Sequence, residues 1–403
     1  MNFDKKNSIY KTIMIIIVTA LVAFMIASIV FYNYYMKTDT GNIKALSKYI
    51  SISDSTTTLE KKIEIIKRYL QNEYMGELKE DKMIEGALKG YVEGLGDEYT
   101  EYLTEEELEE LMISVNGNYV GIGIYMTKNK EGDIVILLPI EGSPAEEVGL
   151  QTEDIIVKVN GIECKGLELT EVSNMVKGEE GTTVNLEILR EDKTFTIDVE
   201  RRTVELKYID SKLMENNIGY IQMLSFEEGA TEKLKEEIKK VKEQGAKSLI
   251  LDMRDNGGGL VTEAVKTAEI FAPLGSTILK SYDKDNKETI TKSTAVTNDN
   301  IKLVLLVNEN SASATEIFAG AIQDNNLGTI IGTKTFGKGV MQEVQPLKIG
   351  GALKITIEEF KTPNGNKINE VGITPDIEVD NTKEDLEAKV DTQLDTAIDY
   401  LSK

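Results

Sequence analysis

The chain has 403 residues, 41% hydrophobic and 29% charged, which excludes a largely disordered polypeptide and exceeds what one hydrophobic core usually serves. It holds no histidine and a single cysteine, Cys164, so imidazole-dependent nucleophile systems, histidine metal sites, intramolecular disulfides and iron-sulfur clusters are all excluded. Lys plus Arg, 46, against Asp plus Glu, 69, leaves a net charge of −23, which argues against nucleic acid as a partner because phosphate neutralisation takes clustered cations.

From Thr12 to Met36 no residue is charged, and Thr12 to Tyr32 is apolar apart from hydroxyls, long enough to cross a bilayer. The run ends in Phe31-Tyr32-Asn33-Tyr34-Tyr35 rather than in a small-residue cleavage site, so an uncleaved transmembrane helix is expected over a signal peptide. Lys5, Lys6 and Lys11 precede it. The positive-inside rule then puts the amino terminus in the cytoplasm and everything after Lys37 outside it, a single-pass arrangement in the cell membrane.

Residues 1–36 are thus read as cytoplasmic tip and anchor, and 37–113 as a polar stalk followed by a small helical domain. Leu59, Ile63, Ile66 and Leu70 lie on one helical stripe, Met83 to Val92 repeat the pattern before Gly94 and Gly96 break it, and Thr104 opens a third helix. Over 114–202 the texture turns to short alternating runs, with Asn160-Gly161 a strong hairpin turn. This predicts a β-rich domain, in which Cys164 reads as an inert apolar filler. Over 203–380 strands alternate with helices, as in Ile218–Met223, Thr231–Glu243 and Ser248–Asp252, which predicts an α/β core. Residues 381–403 close the chain with an amphipathic helix carrying Leu386, Val390, Leu394, Ala397 and Leu401. The fold class is therefore multidomain.

Two motifs are decoys. Gly332 to Lys338 matches a phosphate loop, but Gly339 stands where Ser or Thr must hold Mg²⁺ and a strand, not a helix, follows. Ser281-Tyr282-Asp283-Lys284 matches S-x-x-K without its companion motifs, and reads as a charged surface loop. Ser313 opens a helix as part of Ser311-Ala312-Ser313-Ala314-Thr315-Glu316. On local sequence alone, Ser313-x-x-Glu316 is a capping box. Lys338 lies between two glycines, and its two readings are a loop charge or, if buried, a general base with a lowered pKa. In a chain without histidine, lysine is the natural base for a serine nucleophile.

These two segments, together with Asp252-Met253-Arg254-Asp255-Asn256-Gly257-Gly258-Gly259-Leu260, resemble the carboxyl-terminal processing proteases, or tail-specific proteases. Gly94 to Thr100 is similar to that family's helical signature, and Thr362-Pro363-Asn364-Gly365 with Gly372-Ile373-Thr374-Pro375-Asp376 to its closing strand motifs. The resemblance implies a serine endopeptidase with Ser313 as nucleophile, Lys338 as base and Gln342 orienting the lysine. It also implies an oxyanion hole built from the N–H groups of Ala314 and Gly258, with no cofactor and no metal. Thr315 stands where serine is common and Glu98 where proline is common.

The β-rich unit resembles a PDZ domain, with Gly121, Ile122 and Gly123 in the carboxylate-binding loop. The implied partners are proteins or peptides with free carboxyl termini, and a homo-oligomer stays open. The expected function is a membrane-anchored endopeptidase cleaving unfolded or C-terminally marked proteins outside the cytoplasm. The alternative is a catalytically silent PDZ adaptor.

Overall fold

The computed structural model describes residues 58–403 except 297–298, 383–384, 386–387 and 389. The expected membrane span from Thr12 to Tyr32, and Leu386 of the expected terminal helix, lie outside the described residues; among those residues, no helix is long and apolar enough to cross a membrane. The chain forms two units, Met1–Met83 and Ile84–Lys403. In the first, helix α1 (Leu59–Glu73) follows the predicted stripe but leaves every residue at least partly exposed, and α2 (Glu80–Glu93) begins.

A strand absent from the sequence reading, β1 (Glu101–Leu103), then precedes α3 (Glu105–Asn116). The start of α3 is a true capping box: Thr104 Oγ1 accepts Glu107 N–H at 3.2 Å and a Glu107 carboxylate oxygen accepts Thr104 N–H at 2.9 Å. Gly117, in the left-handed conformation, ends the helix.

The chain enters the β-rich unit on β2 (Asn118–Gly121) and leaves it on β9 (Arg202–Glu205), paired antiparallel as a ribbon. Between them lie β3 (Ile124–Lys128), β4 (Ile134–Pro139), α4 (Pro144–Glu147), β5 (Ile155–Val159), β6 (Ile162–Glu163), α5 (Leu169–Val176), β7 (Thr183–Arg190) and β8 (Lys193–Glu200). Asn160 and Gly161, both at positive φ, turn β5 into β6 as an Asn-Gly hairpin requires. Alternate residues Val184, Leu186 and Ile188 point into a core that also takes Ile134, Ile136, Ile156 and the buried Cys164. Cys164 is the apolar filler expected of it, and burial pushes its thiol up, away from the thiolate.

The remaining elements are β10 (Ile209–Leu213), β11 (Ile218–Met223), α6 (Ala230–Glu243), β12 (Ser248–Asp252), α7 (Val261–Phe271), β13 (Thr277–Asp283), β14 (Glu288–Lys292), β15 (Lys302–Val307), α8 (Ala314–Asp324), β16 (Thr329–Gly332), β17 (Val340–Pro346), β18 (Ala352–Lys361), β19 (Ile377–Glu378) and α9 (Thr392–Leu401). One sheet runs β10-β11-β12-β15-β16-β19, parallel except at β10. Its strands are continuous apolar runs because both faces are covered. Leu249, Leu251, Leu303 and Leu305 meet the helical face of α6, α7 and α8, while Ile250, Val304 and Leu306 meet Ala397 of α9.

A second sheet is built around β18, which pairs with β1, β13 and β17. The segment preceding α3 therefore shares a sheet with the core. Ser281, expected on a surface loop, is instead buried in β13; its neighbour Lys280, half-buried, and the exposed Lys284 beyond the strand disguised the alternation.

Candidate active site

Ser313 sits between β15 and α8 at φ 55°, ψ −114°, a backbone conformation that L side chains rarely adopt. The capping box with Glu316 forms as the local reading expects, but an N-cap is normally extended, and Ser313 holds its place as cap in a strained conformation. What forces it there is close packing: α8 is buried from Ala314 to Ile322, and Gly258, at φ 107°, lies so near that a Cβ added to it would stand 2.9 Å from Ser313 Cβ and 3.0 Å from Ala314 N. Asn256 braces that glycine turn, with its amide donating to Met223 O at 2.9 Å and its Oδ1 accepting Gly258 N–H at 2.9 Å. Of the two expected oxyanion donors, Ala314 N–H has no partner among the described residues, whereas Gly258 N–H is engaged by Asn256.

Lys338 is half-buried at the head of β17. The glycines beside it are required by backbone: a Cβ on Gly339 would meet Asn369 N at 2.2 Å, and Gly337, at φ 94°, passes Val371 N. Burial, then the neighbouring Lys354 charge, hold the Lys338 amine below the ordinary lysine range, with Glu101 opposing. Gln342, four residues further on in β17, pairs across to Thr356, and its buried Nε2 has no hydrogen-bond partner among the described residues.

One residue, to which the local motif assigns only a capping role, ties the two segments together. Glu316 is fully buried and accepts four hydrogen bonds: from Ser313 N at 2.9 Å, Lys338 N at 2.8 Å, Gly337 N at 2.8 Å and Thr335 Oγ1 at 2.6 Å. Burial pushes its carboxyl up while these donors pull it down. The Ser-x-x-Glu spacing was visible, but no local signal says that a helix's third residue faces another loop. Of the family departures, Thr315 donates its hydroxyl to Asn256 O at 3.0 Å and Glu98 is exposed.

In the β-rich unit, Gly121, Ile122 and Gly123 line a cavity of about 250 Å³ with Tyr119, Ile124 and Val176. Gly121 belongs to β2, opposite Arg202, and its φ is not positive; Ile122 is buried, and Gly123, at φ 80°, is the true bend. The Tyr119 ring lies over Gly121, its phenol pushed up to about 12 by burial and drawn back by the N–H groups of Ile124 and Gly123. Tyr119 and Ile124, the two ends of the stretch that resembles the carboxylate-binding loop, thus line the cavity along with the three expected contact residues.

Family models match three stretches: Peptidase family S41 over residues 217–379, a PDZ domain over 135–190, and the activating protease CtpB N-terminal domain over 17–107. A probable CtpA-like serine protease of Staphylococcus aureus (strain N315) is 38% identical over 348 residues, 83% of this chain and 69% of that protein. The chain belongs to the carboxyl-terminal processing serine proteases of family S41. Another relative, the probable CtpA-like serine protease of Staphylococcus haemolyticus (strain JCSC1435), is 39% identical over 321 residues, which are 79% of this chain and 64% of that longer protein. Among solved structures, the photosystem II D1 C-terminal processing protease is 28% identical at a TM-score of 0.47, covering 81% of this chain and 89% of that one.

Proposed function

We propose that this S41 family member is a serine endopeptidase that cleaves unfolded or C-terminally marked proteins, using Ser313 as nucleophile, Lys338 as base and Gln342 to orient the lysine. The observation that carries this reading is the Glu316 carboxylate, which accepts the N–H groups of both Ser313 and Lys338 and so fixes the two backbone segments against each other. Neutral Lys338 takes the proton of Ser313 Oγ as that oxygen adds to the scissile carbonyl, and the resulting ammonium returns the proton to the leaving amine. Ala314 N–H is available to the carbonyl oxygen as negative charge grows on it. Gly258 contributes only by exchanging Asn256 for that oxygen.

The PDZ unit delivers the substrate's carboxyl terminus, held by the backbone donors around Gly123. The uncharged run from Thr12 to Met36 supports a single-pass anchor with the catalytic region outside the cytoplasm. Turnover of a denatured protein by the wild type and by the Ser313→Ala, Lys338→Ala and Gln342→Ala variants tests the reading. The first two are expected to lose at least about 10³-fold and the third less, because a dyad acts as a unit. Near wild-type turnover by Lys338→Ala would sink the base assignment, and a wild type as inactive as Ser313→Ala would favour the adaptor.

A further inference from the structure

Among the described residues, Lys338 Nζ has no hydrogen-bond or ion-pair partner; what it meets is the ring of Tyr99, whose centroid lies 4.8 Å away. Tyr99 comes from the loop between α2 and β1, far from Lys338 in sequence. That loop is built to hold it. The Asp97 carboxylate accepts Tyr99 N–H at 3.2 Å and the Thr100 hydroxyl, and Thr100 Oγ1 accepts Thr356 N–H at 3.0 Å. Thr356 is the residue opposite Gln342 in the β17–β18 register, so the ring is tied to the strand pair that follows Lys338 and carries Gln342.

A carboxylate in this place would hold the proton on the amine too tightly for it to serve as a base, and an apolar side chain would leave the ammonium that forms after proton transfer without support. The face of an aromatic ring does neither: it attracts a cation, weakly, through its quadrupole. Lys354 and Glu101, which act on Lys338 with opposite sign, are paired to each other at 2.8 Å, while burial and then the negative charges of Glu98, Glu316, Asp97 and Glu370 push the Tyr99 phenol up.

We propose that Tyr99 is a positioning residue for the reaction: its ring face carries the Lys338 amine and steadies the ammonium formed when that amine takes the Ser313 proton. This rests on the Ser-Lys reading above. The test is kcat and KM of the full chain from about pH 6 to 10 on a denatured protein, for wild type, Tyr99→Phe, Tyr99→Leu and Tyr99→Trp, with melting temperatures alongside. Tyr99→Phe keeps the ring and is expected within about 2-fold of wild type, with the same rising limb. Tyr99→Leu should lower kcat about 10-fold with little change in KM and move the limb to lower pH, because the ammonium has lost support. Tyr99→Trp, a stronger cation acceptor, should move the limb to higher pH, a displacement that misfolding does not produce and that carries the test if the leucine variant melts early.

An unmoved limb in both Tyr99→Leu and Tyr99→Trp overturns the inference, as does a Tyr99→Phe as impaired as Tyr99→Leu, which would assign the effect to the hydroxyl. Lys338→Ala measured in parallel separates the two readings. If it is active, the dyad is wrong. If it is inactive while the limb stays put in the Tyr99 variants, only the role of Tyr99 is.

Discussion

Ser313 holds a Cβ at a φ of 55° and a ψ of −114°, where glycine would be relaxed and serine is strained by about 1–3 kcal/mol. A residue kept under strain by the burial of α8 on one side and by Gly258 on the other is a residue whose side chain is aimed. The strain gives a prediction separate from catalysis. Ser313→Ala keeps the Cβ and should melt close to wild type, whereas Ser313→Gly should melt a few degrees higher while being equally inactive; both are read from thermal unfolding followed by circular dichroism. A Ser313→Gly variant less stable than Ser313→Ala would mean that the backbone is relaxed as it stands.

At the scale of elements, α8 and the loop before β17 meet through a carboxylate rather than through apolar packing. Glu316 accepts three backbone N–H groups, and a glutamine can accept through only one of its two terminal atoms. Glu316→Gln should therefore leave at least one buried N–H facing an NH₂ group. The expected result is a loss of turnover of at least about 10²-fold, together with a destabilisation of about 1–3 kcal/mol measured by urea unfolding. Undiminished turnover would reduce Glu316 to the helix cap of the local reading.

The PDZ loop is constrained differently. A Cβ on Gly123 would stand 2.2 Å from Ser143 Cβ at a φ of 80°, so Gly123→Val distorts the loop itself, whereas Gly121 is limited by the Tyr119 ring 2.6 Å from its added Cβ. Amidating a substrate's carboxyl terminus should slow its cleavage by wild type several-fold, and Gly123→Val should erase the difference between free and amidated substrates. Equal rates on the intact protein would make this unit a spacer.

For the molecule as a whole, the point of interest is where the β-rich unit joins the core. Glu227, just after β11, packs its Cγ against Gly117 at the root of the β2–β9 ribbon, and Glu228 N–H donates to Val115 O at 3.0 Å. Glu227 is buried, its Oε2 lacks a partner among the described residues, and burial pushes its carboxyl up to about 7, with its own backbone N–H, Ser225 and Lys233 opposing. A carboxyl whose folded pKa lies above its unfolded value favours the fold when protonated. Its contribution is fully present below about pH 4.3 and is lost as pH rises through 7. Glu227→Gln cannot ionise, so its melting temperature should exceed that of wild type by several degrees at pH 8 and by little or nothing at pH 5. A gap that does not change with pH would remove Glu227 as the cause.

Whatever depends on a residue and its near neighbours could be read from the amino-acid order. The runs Leu303–Val307 and Ser248–Asp252 read as strands, Thr104 opened a helix, and Asn160-Gly161 could turn a hairpin, because period, capping and φ preference act within a few residues. The motif residues around Ser313 and Lys338 were legible for the same reason. What surrounds them depends on the packed fold. Whether Glu316 caps a helix or clamps two loops, whether Gly258 N–H is free, and that Lys338 meets Tyr99 all turn on chain segments brought together across long loops. The edges of the second sheet were hidden likewise: β1 is three residues of a charged stretch, and it exists because β18 supplies its hydrogen bonds. Desolvation and hydrogen-bond satisfaction are properties of the packed chain, so the chemistry of this site, unlike its residues, is set by what the fold places beside them.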